Sequence, residues 1–460
     1  MTKTVVQPTD YERDFHMEEL FFSVTDPSGK ITFANEVFTR ISAYEEKELI
    51  GRPHNIIRHP DMPRALFHVM WEYLNSGKPV AAYVKNLAKD GAYYWVIALV
   101  FSYDQGFISI RLKPDSPVFG KIQSIYKDTL SYERQQSEER GDKEGMIAAV
   151  SYLQQKLREN GYDSYDEFMW EALEQEMRNR DELLQRKGFK RKNHTDAIPG
   201  HILKYESHLI RLFDHLKTLE ELHDKLLEHS RYILNLSNTI RLLSLNAQVS
   251  TARLDGEGES LSAVAGQMGD QSHGGTIMLA DMQQHVTTLS KLLNKANFDI
   301  IFAKLQVEMT TIFLNEVHVN GENRYLSDIP VPQIIRYLHD SYTPRLLKIA
   351  EEVGRIPSSL GDLKVRVGEI ERFLYVLRFI HSTGKIEIAR LSNAGAFANT
   401  FDQLIREVND ADSKLKELAE HIEENQKMNP VFIESERVFA SAKKVLANGY
   451  ATGVPAAQAG

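Results

Sequence analysis

The stretch IRHPDMP, residues 57–63, decides how the first part of this chain folds. It places a cation, an imidazole, a carboxylate and two prolines directly before an apolar helix that contains Phe67 and Trp71. Burying a polar group without a partner costs roughly 2–7 kcal/mol, so we expect a bound ligand to satisfy a cluster of this kind. In the alternative, Arg58 pairs with Asp61 and Asp61 caps the helix.

Turn-forming residues and alternating apolar residues on both sides of this stretch predict a small antiparallel sheet. A helix from Met62 to about Asn75, with apolar residues on one face, separates two strands from three others. This order predicts the fold class α+β, in which a five-stranded antiparallel sheet carries helices on one face. The strands are expected at residues 20–25, 30–34, 80–87, 92–102 and 107–114.

Several motifs in this order and spacing resemble the PAS domain of bacterial aerotaxis receptors over residues 15–115. Besides residues 57–63, these motifs are FHVMW (67–71), GKP (77–79), VKN (84–86), KDG (89–91) and YWV (94–96). The resemblance implies a PAS sensor domain, residues 15–116, that holds FAD and reports on oxygen or electron transport through the redox state of that FAD. By position, the implied flavin contacts are Asn35, Arg58, His59, Asp61, Phe67, Trp71 and Asn86.

The chemistry of these side chains suits a flavin, whose ring needs apolar walls and a few amides at its polar edge. Asn86 shares a strand face with apolar residues, and Arg58 can face a phosphate or the negative charge of a reduced ring. Simpler roles are open for three residues. Asn35 can be a helix N-cap, and Phe67 and Trp71 can be ordinary core residues.

Heme is a competing cofactor. His54, His59 and His68 lie close together in the sequence, and His is a usual axial ligand of heme iron. We rank heme second because His59 lies inside the flavin-type motif. One departure from the family is Val80, where aerotaxis receptors usually carry Trp, and this predicts a reshaped pocket.

The remainder of the chain is predicted to be helical, beginning with a linker or insert at residues 117–200. Within residues 201–295, the segments 240–253 and 263–268 resemble the helical hairpin of methyl-accepting chemotaxis proteins. The tip of that hairpin, residues 254–260, departs from the family at the place where the family contacts the histidine kinase and its coupling protein. A plain dimerisation coiled coil is the alternative. A seven-residue repeat of apolar residues in the same region indicates a coiled coil or a bundle; it consists of Leu212, Leu219, Leu226, Ile233, Ile240 and Ala247.

A second helical array, residues 296–445, is loosely similar to this hairpin. The similarity is either a degenerate internal repeat or a chance likeness between helices. A true repeat would place two hairpins in one chain. They would then form an intramolecular, pseudo-symmetric bundle in place of the dimeric bundle of chemoreceptors.

Composition and missing motifs exclude several classes of function. The formal net charge of -9 argues against a nucleic-acid partner, and the basic run 186–192 is expected to be a solvated loop. The chain has no cysteine, which excludes thiolate metal sites and cysteine nucleophiles. It also lacks a signal-peptide pattern and any run of 18 apolar residues, so we expect a cytoplasmic protein without a transmembrane segment. No sequence motif of an enzyme is recognisable, and we expect no catalysis.

These features together predict a soluble PAS sensor of redox, oxygen or energy state. It would relay its state to a chemoreceptor-like helical output in chemotaxis or aerotaxis signalling. A chemotaxis kinase, its coupling protein or another signalling protein is the expected partner, and a homodimer is compatible with the sequence. The alternatives are a scaffold or adaptor, in which the PAS domain dimerises and the bundle binds a partner, and a heme-containing gas sensor.

Overall fold

The computed structural model describes residues 6–189, 198–251, 259–390 and 395–447, and it divides the chain into two compact units. The first unit comprises the described parts of residues 1–210, 297–348 and 438–460. The second comprises the described parts of residues 211–296 and 349–437. The predicted segment 296–445 therefore contributes to both units, whereas nearly all of the predicted hairpin 201–295 lies in the second.

An antiparallel sheet of five strands forms the centre of the first unit, which confirms the predicted α+β fold. Its order is β2-β1-β5-β4-β3, so β5 is the central strand. Gly106 begins β5 with a φ of +151°, and the carbonyl oxygen of Thr25 occupies the place that a Cβ would need. The strands are β1 (Phe21–Thr25), β2 (Ile31–Ala34), β3 (Val80–Leu87), β4 (Tyr93–Tyr103) and β5 (Gly106–Leu112).

Three short helices and a 3₁₀ turn at His54–Ile57 pack on one face of this sheet. The helices are α1 (Glu36–Ser42), α2 (Glu46–Leu49) and α3 (Arg64–Asn75). Pro63 occupies the N-cap position of α3, so the predicted capping role of Asp61 is wrong. The proline fixes φ near the value that a helix start requires and needs no donor there.

The opposite face of the sheet is also covered by helices. Phe101 on β4 lies 5.2 Å from Phe302, measured between ring centres. Phe313 packs on Phe22 and Phe33 at 5.1 Å and 5.4 Å. Both faces of the sheet are therefore buried, which explains why its strands are apolar on both sides. The remaining helices are α4 (Pro117–Arg140), α5 (Asp142–Glu159), α6 (Tyr165–Arg186), α7 (Gly200–Thr251), α8 (Glu259–Asn320), α9 (Val331–Ile388), α10 (Gly395–Gln426), α11 (Asn429–Ala440) and α12 (Ala442–Ala447).

One segment of α8, residues 297–311, is buried on all sides although it carries several charges. Each buried charge has a partner, as burial requires. Glu308 binds Arg180 of α6 at 2.8 Å, and Lys304 binds Asp181 of α6 at 2.8 Å. Arg180 also donates to the backbone carbonyl of Met17. These pairs fix α8 against α6 in the first unit.

The second unit is a bundle of α7, α8, α9 and α10 in which neighbouring helices are antiparallel. Each helix contacts the next one around the bundle, and α10 contacts α7. Ser244 of α7 donates to the carbonyl of Ala265 in α8, and Arg378 of α9 binds Asp412 of α10 at 3.0 Å. The other two pairs are Asp281 of α8 with Arg366 of α9, and Lys225 of α7 with Glu417 of α10.

This bundle is built from two hairpins of a single chain. Of the predicted seven-residue repeat in α7, Leu212 and Ile240 are buried, whereas the other four side chains lie outside the described set. Most of the predicted tip 254–260 lies outside the described residues, as do residues 190–192 of the basic run, whereas residues 186–189 of that run are exposed. Nowhere in the described ranges does a helix combine the length and the hydropathy that a membrane-spanning segment needs.

Candidate ligand-binding site

A cavity of about 280 Å³ lies between the sheet, the 3₁₀ turn with the motif that follows it, and helix α3. This volume is at the lower end of the range for small-molecule pockets. Most of its wall is apolar and comes from alternate positions of the strands and from one face of α3. The apolar lining consists of Val84, Val96, Ala98, Val100 and Phe107 from the sheet, Phe67, Met70, Trp71 and Leu74 from α3, and Pro53 and Ile57.

Two polar atoms in this wall lack a hydrogen-bond partner among the described residues. They are Asn86 Nδ2 and Ser109 Oγ, and both are fully buried. Asn86 lies on β3 with only 3% of its surface exposed. An unsatisfied buried donor or acceptor costs about 1–3 kcal/mol. Both atoms are therefore positioned to bond to a ligand inside the cavity.

Arg58 contributes a cation to the cavity. Its Nη2 donates to the carbonyl of Met62 at 3.0 Å, and its guanidinium lies 4.0 Å from the centre of the Phe67 ring. Its backbone forms an isolated antiparallel bridge with Asn86, which ties the motif 57–63 to β3. Burial lowers the pKa of Arg58. The Phe67 contact is a cation–π interaction, so this ring stabilises the Arg58 cation and also forms part of the cavity wall.

Arg111 contributes a second cation from the central strand β5. It is 2% exposed, and its Nη2 lies 3.1 Å from Ser23 Oγ and 2.5 Å from His54 Nε2. Burial lowers the pKa of Arg111 to about 10, so it remains a cation at neutral pH. Burial and the neighbouring Arg111 lower the pKa of His54 to about 3, so His54 is neutral.

The cavity lining contains two arginines and not one Asp or Glu among the described residues. A cavity of this composition favours an occupant with negative charge and an apolar body.

Comparison with known proteins agrees with this geometry. Residues 31–106 match the family model described as PAS fold. The first domain of this chain is a PAS domain. Over 110 residues the chain is 40% identical to the aerotaxis receptor of Escherichia coli (strain K12), which covers 23% of this chain and 22% of that protein. It is 31% identical over 74 residues to the nitrogen fixation regulatory protein of Klebsiella pneumoniae, covering 16% of this chain and 15% of that protein.

The chain thus spans less than a quarter of the length of these two relatives. Solved structures similar to the PAS domain include the dark structure of the blue-light photoreceptor Aureochrome1 LOV, at 19% identity and a TM-score of 0.21. That match covers 24% of this chain and 84% of the other. A fungal LOV domain photoreceptor matches with 19% identity and a TM-score of 0.18, over 23% of this chain and 79% of the other.

The PAS domain brings four of the seven predicted contact residues together in the cavity. These are Arg58, Phe67, Trp71 and Asn86. Asn35 lies elsewhere and is completely buried. Its Oδ1 accepts from the backbone N–H of Phe22 at 3.0 Å, and its Nδ2 donates to Glu316 of α8 at 3.0 Å. Asn35 occupies the N-cap position of α1, yet its side chain makes no capping hydrogen bond.

His59 and Asp61 also lie outside the cavity lining of the PAS domain. The Nδ1 of His59 accepts from the backbone N–H of Asp61 at 3.1 Å. Asp61 is exposed and accepts from Lys85 Nζ at 3.0 Å. The alternative in which Arg58 pairs with Asp61 is therefore not seen, since Arg58 donates to the Met62 carbonyl instead. Burial, with a smaller contribution from Lys85, lowers the pKa of His59.

Arg111 and Ser109 line the cavity although neither belongs to a motif that predicts the site. A clue was available, because Ser109 and Arg111 alternate with the apolar Ile108, Ile110 and Leu112 in β5. Ser109 and Arg111 are two positions apart and therefore share one face of β5, which marks that face as the polar one. His54 was considered as a heme ligand, and the structure places it in the cavity wall beside Arg111.

Proposed function

We propose that this protein is a redox sensor whose PAS domain binds a flavin, FAD, in the cavity and whose helical region transmits the state of that flavin. The unpartnered amide of Asn86, inside an apolar cavity with two arginines and no carboxylate, is the observation that carries this proposal. The 40% identity to a protein named aerotaxis receptor supports it.

The residues of the cavity fit a flavin. Its flat apolar ring system matches walls formed by Val96, Ala98 and Trp71, and its polar edge matches the free Nδ2 of Asn86. Arg58 is less buried than Arg111 and suits a phosphate of the FAD tail. A bound flavin would supply a reversible change of electrons and charge. The small volume of the cavity leads us to expect only the ring system inside it.

Strand β3 offers a direct connection from the cavity to the helices. Its side chains alternate, so Asn86 faces the cavity while Tyr83 faces the opposite side of the sheet. The hydroxyl of Tyr83 donates to Glu176 of α6 at 2.8 Å. A change in the hydrogen bonds of Asn86 can therefore shift β3 against α6. A coupling of about 1–3 kcal/mol is the usual size of such effects.

We further propose that the protein is a cytoplasmic, non-enzymatic signalling protein. Its partner would be a chemotaxis kinase, the coupling protein of that kinase or another signalling protein. The likeness of residues 240–253 to a receptor hairpin and the identity to an aerotaxis receptor support this assignment. Binding of the full chain to purified kinase and coupling protein, measured with oxidised and with reduced flavin, tests it. If the chain binds neither protein in either flavin state, the assignment is contradicted.

The absorption spectrum of the purified full chain tests the proposed cofactor. We expect flavin bands, and FAD identified by chromatography after the protein is denatured. A Soret band would show heme, but His54 Nε2 bonds to Arg111, and His59 and His68 do not line the cavity. A colourless protein that does not take up added FAD would contradict the flavin sensor and favour the adaptor.

A further inference from the structure

We infer that Arg111 recognises negative charge on the ring system inside the PAS cavity, so that the protein binds a reduced, negatively charged flavin more tightly than an oxidised, neutral one. This inference rests on the proposed function and adds to it a residue that selects the redox state. The ligand class is a planar redox group that gains negative charge on reduction.

The first argument is the surroundings of Arg111. The groups that face its guanidinium are the Ser109 carbonyl on β5, Ser23 on β1 and His54 in the 3₁₀ turn, together with the rings of Phe21 and Phe38. All of them are neutral. Tyr94 of β4 lies near and is fully buried, and its hydroxyl has no partner among the described residues. A buried cation without a counter-ion is costly, and an anionic occupant would offset that cost.

The second argument is the set of donors that remains on Arg111. A guanidinium carries five N–H donors. One from Nη1 goes to the Ser109 carbonyl, and those of Nη2 go to Ser23 and His54. The Nε–H and the second Nη1–H have no acceptor among the described residues. Because Arg111 lines the cavity, these donors are available to an occupant.

The third argument is the orientation that His54 imposes. Its Nε2 is 2.5 Å from Nη2 of Arg111 and therefore accepts, which places the imidazole proton on Nδ1. A neutral acceptor orients the guanidinium without neutralising it. An Asp or Glu at this place would hold the arginine equally well but would cancel its charge. The pair thus keeps a full positive charge at a fixed place in the wall.

The two arginines of the cavity have separate roles in this scheme. Arg111 is 2% exposed on the central strand and can act only on the part of the ligand inside the core. Arg58 lies on the motif 57–63, is half-buried, and already donates to the Met62 carbonyl. We therefore expect Arg58 to bind both redox states similarly and Arg111 to distinguish between them.

The midpoint potential of the bound flavin tests the inference. Arg111→Met removes the charge and keeps much of the volume, and Arg111→Lys keeps the charge. We expect Arg111→Met to lose at least tenfold in affinity for reduced relative to oxidised flavin, which is about 59 mV for a one-electron couple. Arg111→Lys should stay closer to the wild-type potential. Arg58→Met is the matched control and should weaken binding of both states with a smaller change in potential.

A second measurement needs no variant. During stepwise reduction at neutral pH, the wild-type protein should show the spectrum of a negatively charged reduced flavin and not that of its protonated, neutral form. A neutral form, or an unchanged potential in folded Arg111→Met, would overturn the inference and leave the flavin sensor intact. A wild-type protein that binds no flavin would instead remove the proposed function, and this inference with it.

Discussion

The side-chain nitrogen of Asn86 is buried and has no acceptor among the described residues, so its burial destabilises the protein when no ligand is bound. That cost is about 1–3 kcal/mol. We expect Asn86→Leu to raise the free energy of unfolding of the ligand-free protein by about 1 kcal/mol or more while it abolishes flavin retention. Urea unfolding of flavin-stripped protein and the flavin content after purification measure the two effects.

Asn75→Leu is the matched control for this prediction. Asn75 is an exposed amide at the last position of α3 and does not line the cavity. Its substitution should change neither stability by more than about 0.5 kcal/mol nor flavin content. A destabilised Asn86→Leu protein that still retains flavin would contradict the role that we assign to Asn86.

His54 should make the stability of the protein depend on pH. Its pKa is lowered to about 3 in the folded chain by burial and Arg111, against 6.5 for an ordinary histidine. Below pH 6.5 the unfolded chain gains a proton that the folded chain does not, so its contribution to stability is present above that pH. It is lost as pH falls towards 3, by at most about 1.4 kcal/mol per pH unit.

His54→Gln should remove this part of the pH dependence while retaining an acceptor for Arg111. Between pH 7 and pH 5.5 we expect the wild type to lose about 1 kcal/mol more of its unfolding free energy than the variant loses. Urea unfolding at the two pH values measures it. The matched control is His68→Gln, because His68 lies outside the cavity lining, and it should behave like the wild type. Equal losses in His54→Gln and wild type would refute the prediction.

At the residue scale, sequence motifs located the cavity but did not identify all of its polar groups. Arg58 and Asn86 were found because the motif 57–63 and strand alternation are local features. Asn35 was assigned to the flavin by its position in the family resemblance, and no local pattern reveals that its side chain bonds to Glu316, 281 positions away. Arg111 was missed because a single cation in an apolar strand has no motif. Its neighbours define its role, and Ser23, His54 and Phe38 come from three different elements.

At the scale of elements, Glu176 of α6 connects the sheet to the start of α4. Its carboxylate accepts from Tyr83, from Ser116 Oγ, and from the backbone N–H groups of Asp115 and Ser116. Burial raises its pKa above the ordinary value. Glu176→Leu leaves four neutral donors without this acceptor, and each buried unsatisfied donor costs about 1–3 kcal/mol, so we expect a loss of about 3–5 kcal/mol of unfolding free energy. Urea unfolding measures that loss.

Glu182→Leu on the same helix is the control for this prediction. Glu182 is exposed and, within the described ranges, pairs only with the exposed Arg186, so its loss should cost less than about 0.5 kcal/mol. Similar stabilities for the Glu176 and Glu182 variants would show that the sheet does not depend on Glu176. Glu176→Gln keeps an acceptor oxygen and should fall between the two.

Elements with strong alternation were predictable, since each strand lies within a few residues of its expected position. The start of α3 was not predictable, because a Pro and an Asp compete for the N-cap and the sequence does not show that Asp61 bonds to His59 and Lys85. The burial of α8 at residues 297–311 was also hidden from the sequence. Its charged residues predict a solvated helix, because the sequence does not show their partners on α6.

At the scale of the whole molecule, the bundle and the PAS domain can be perturbed separately. Gly275 of α8 faces Phe373 of α9, whose ring occupies the place that a Cβ would need. Gly275→Ala should therefore cost the bundle about 1–3 kcal/mol. Gly274→Ala has nothing within 4 Å of the new Cβ and should gain up to about 1 kcal/mol from helix propensity.

Helical circular dichroism during urea unfolding measures the stability of the bundle, and flavin absorbance follows the PAS domain. The flavin transition should be unchanged in both glycine variants, because both positions lie in the second unit. Equal stability of the Gly274 and Gly275 variants would contradict the packing that we describe. The division of the chain into these units was not predictable, because α7, α8 and α9 each contribute residues to both.

The helices on the outer face of the PAS sheet limit how this sensor can be recombined with other output modules. Phe22, Phe33 and Phe101 are covered by Phe302 and Phe313 of α8, which lie more than 200 positions further along the chain. A gene fusion that ends after residue 116 would leave those three rings bare, and exposed aromatic patches promote aggregation. Exchange of this sensor between proteins therefore requires that residues 297–320 travel with it, or that polar residues replace the three phenylalanines.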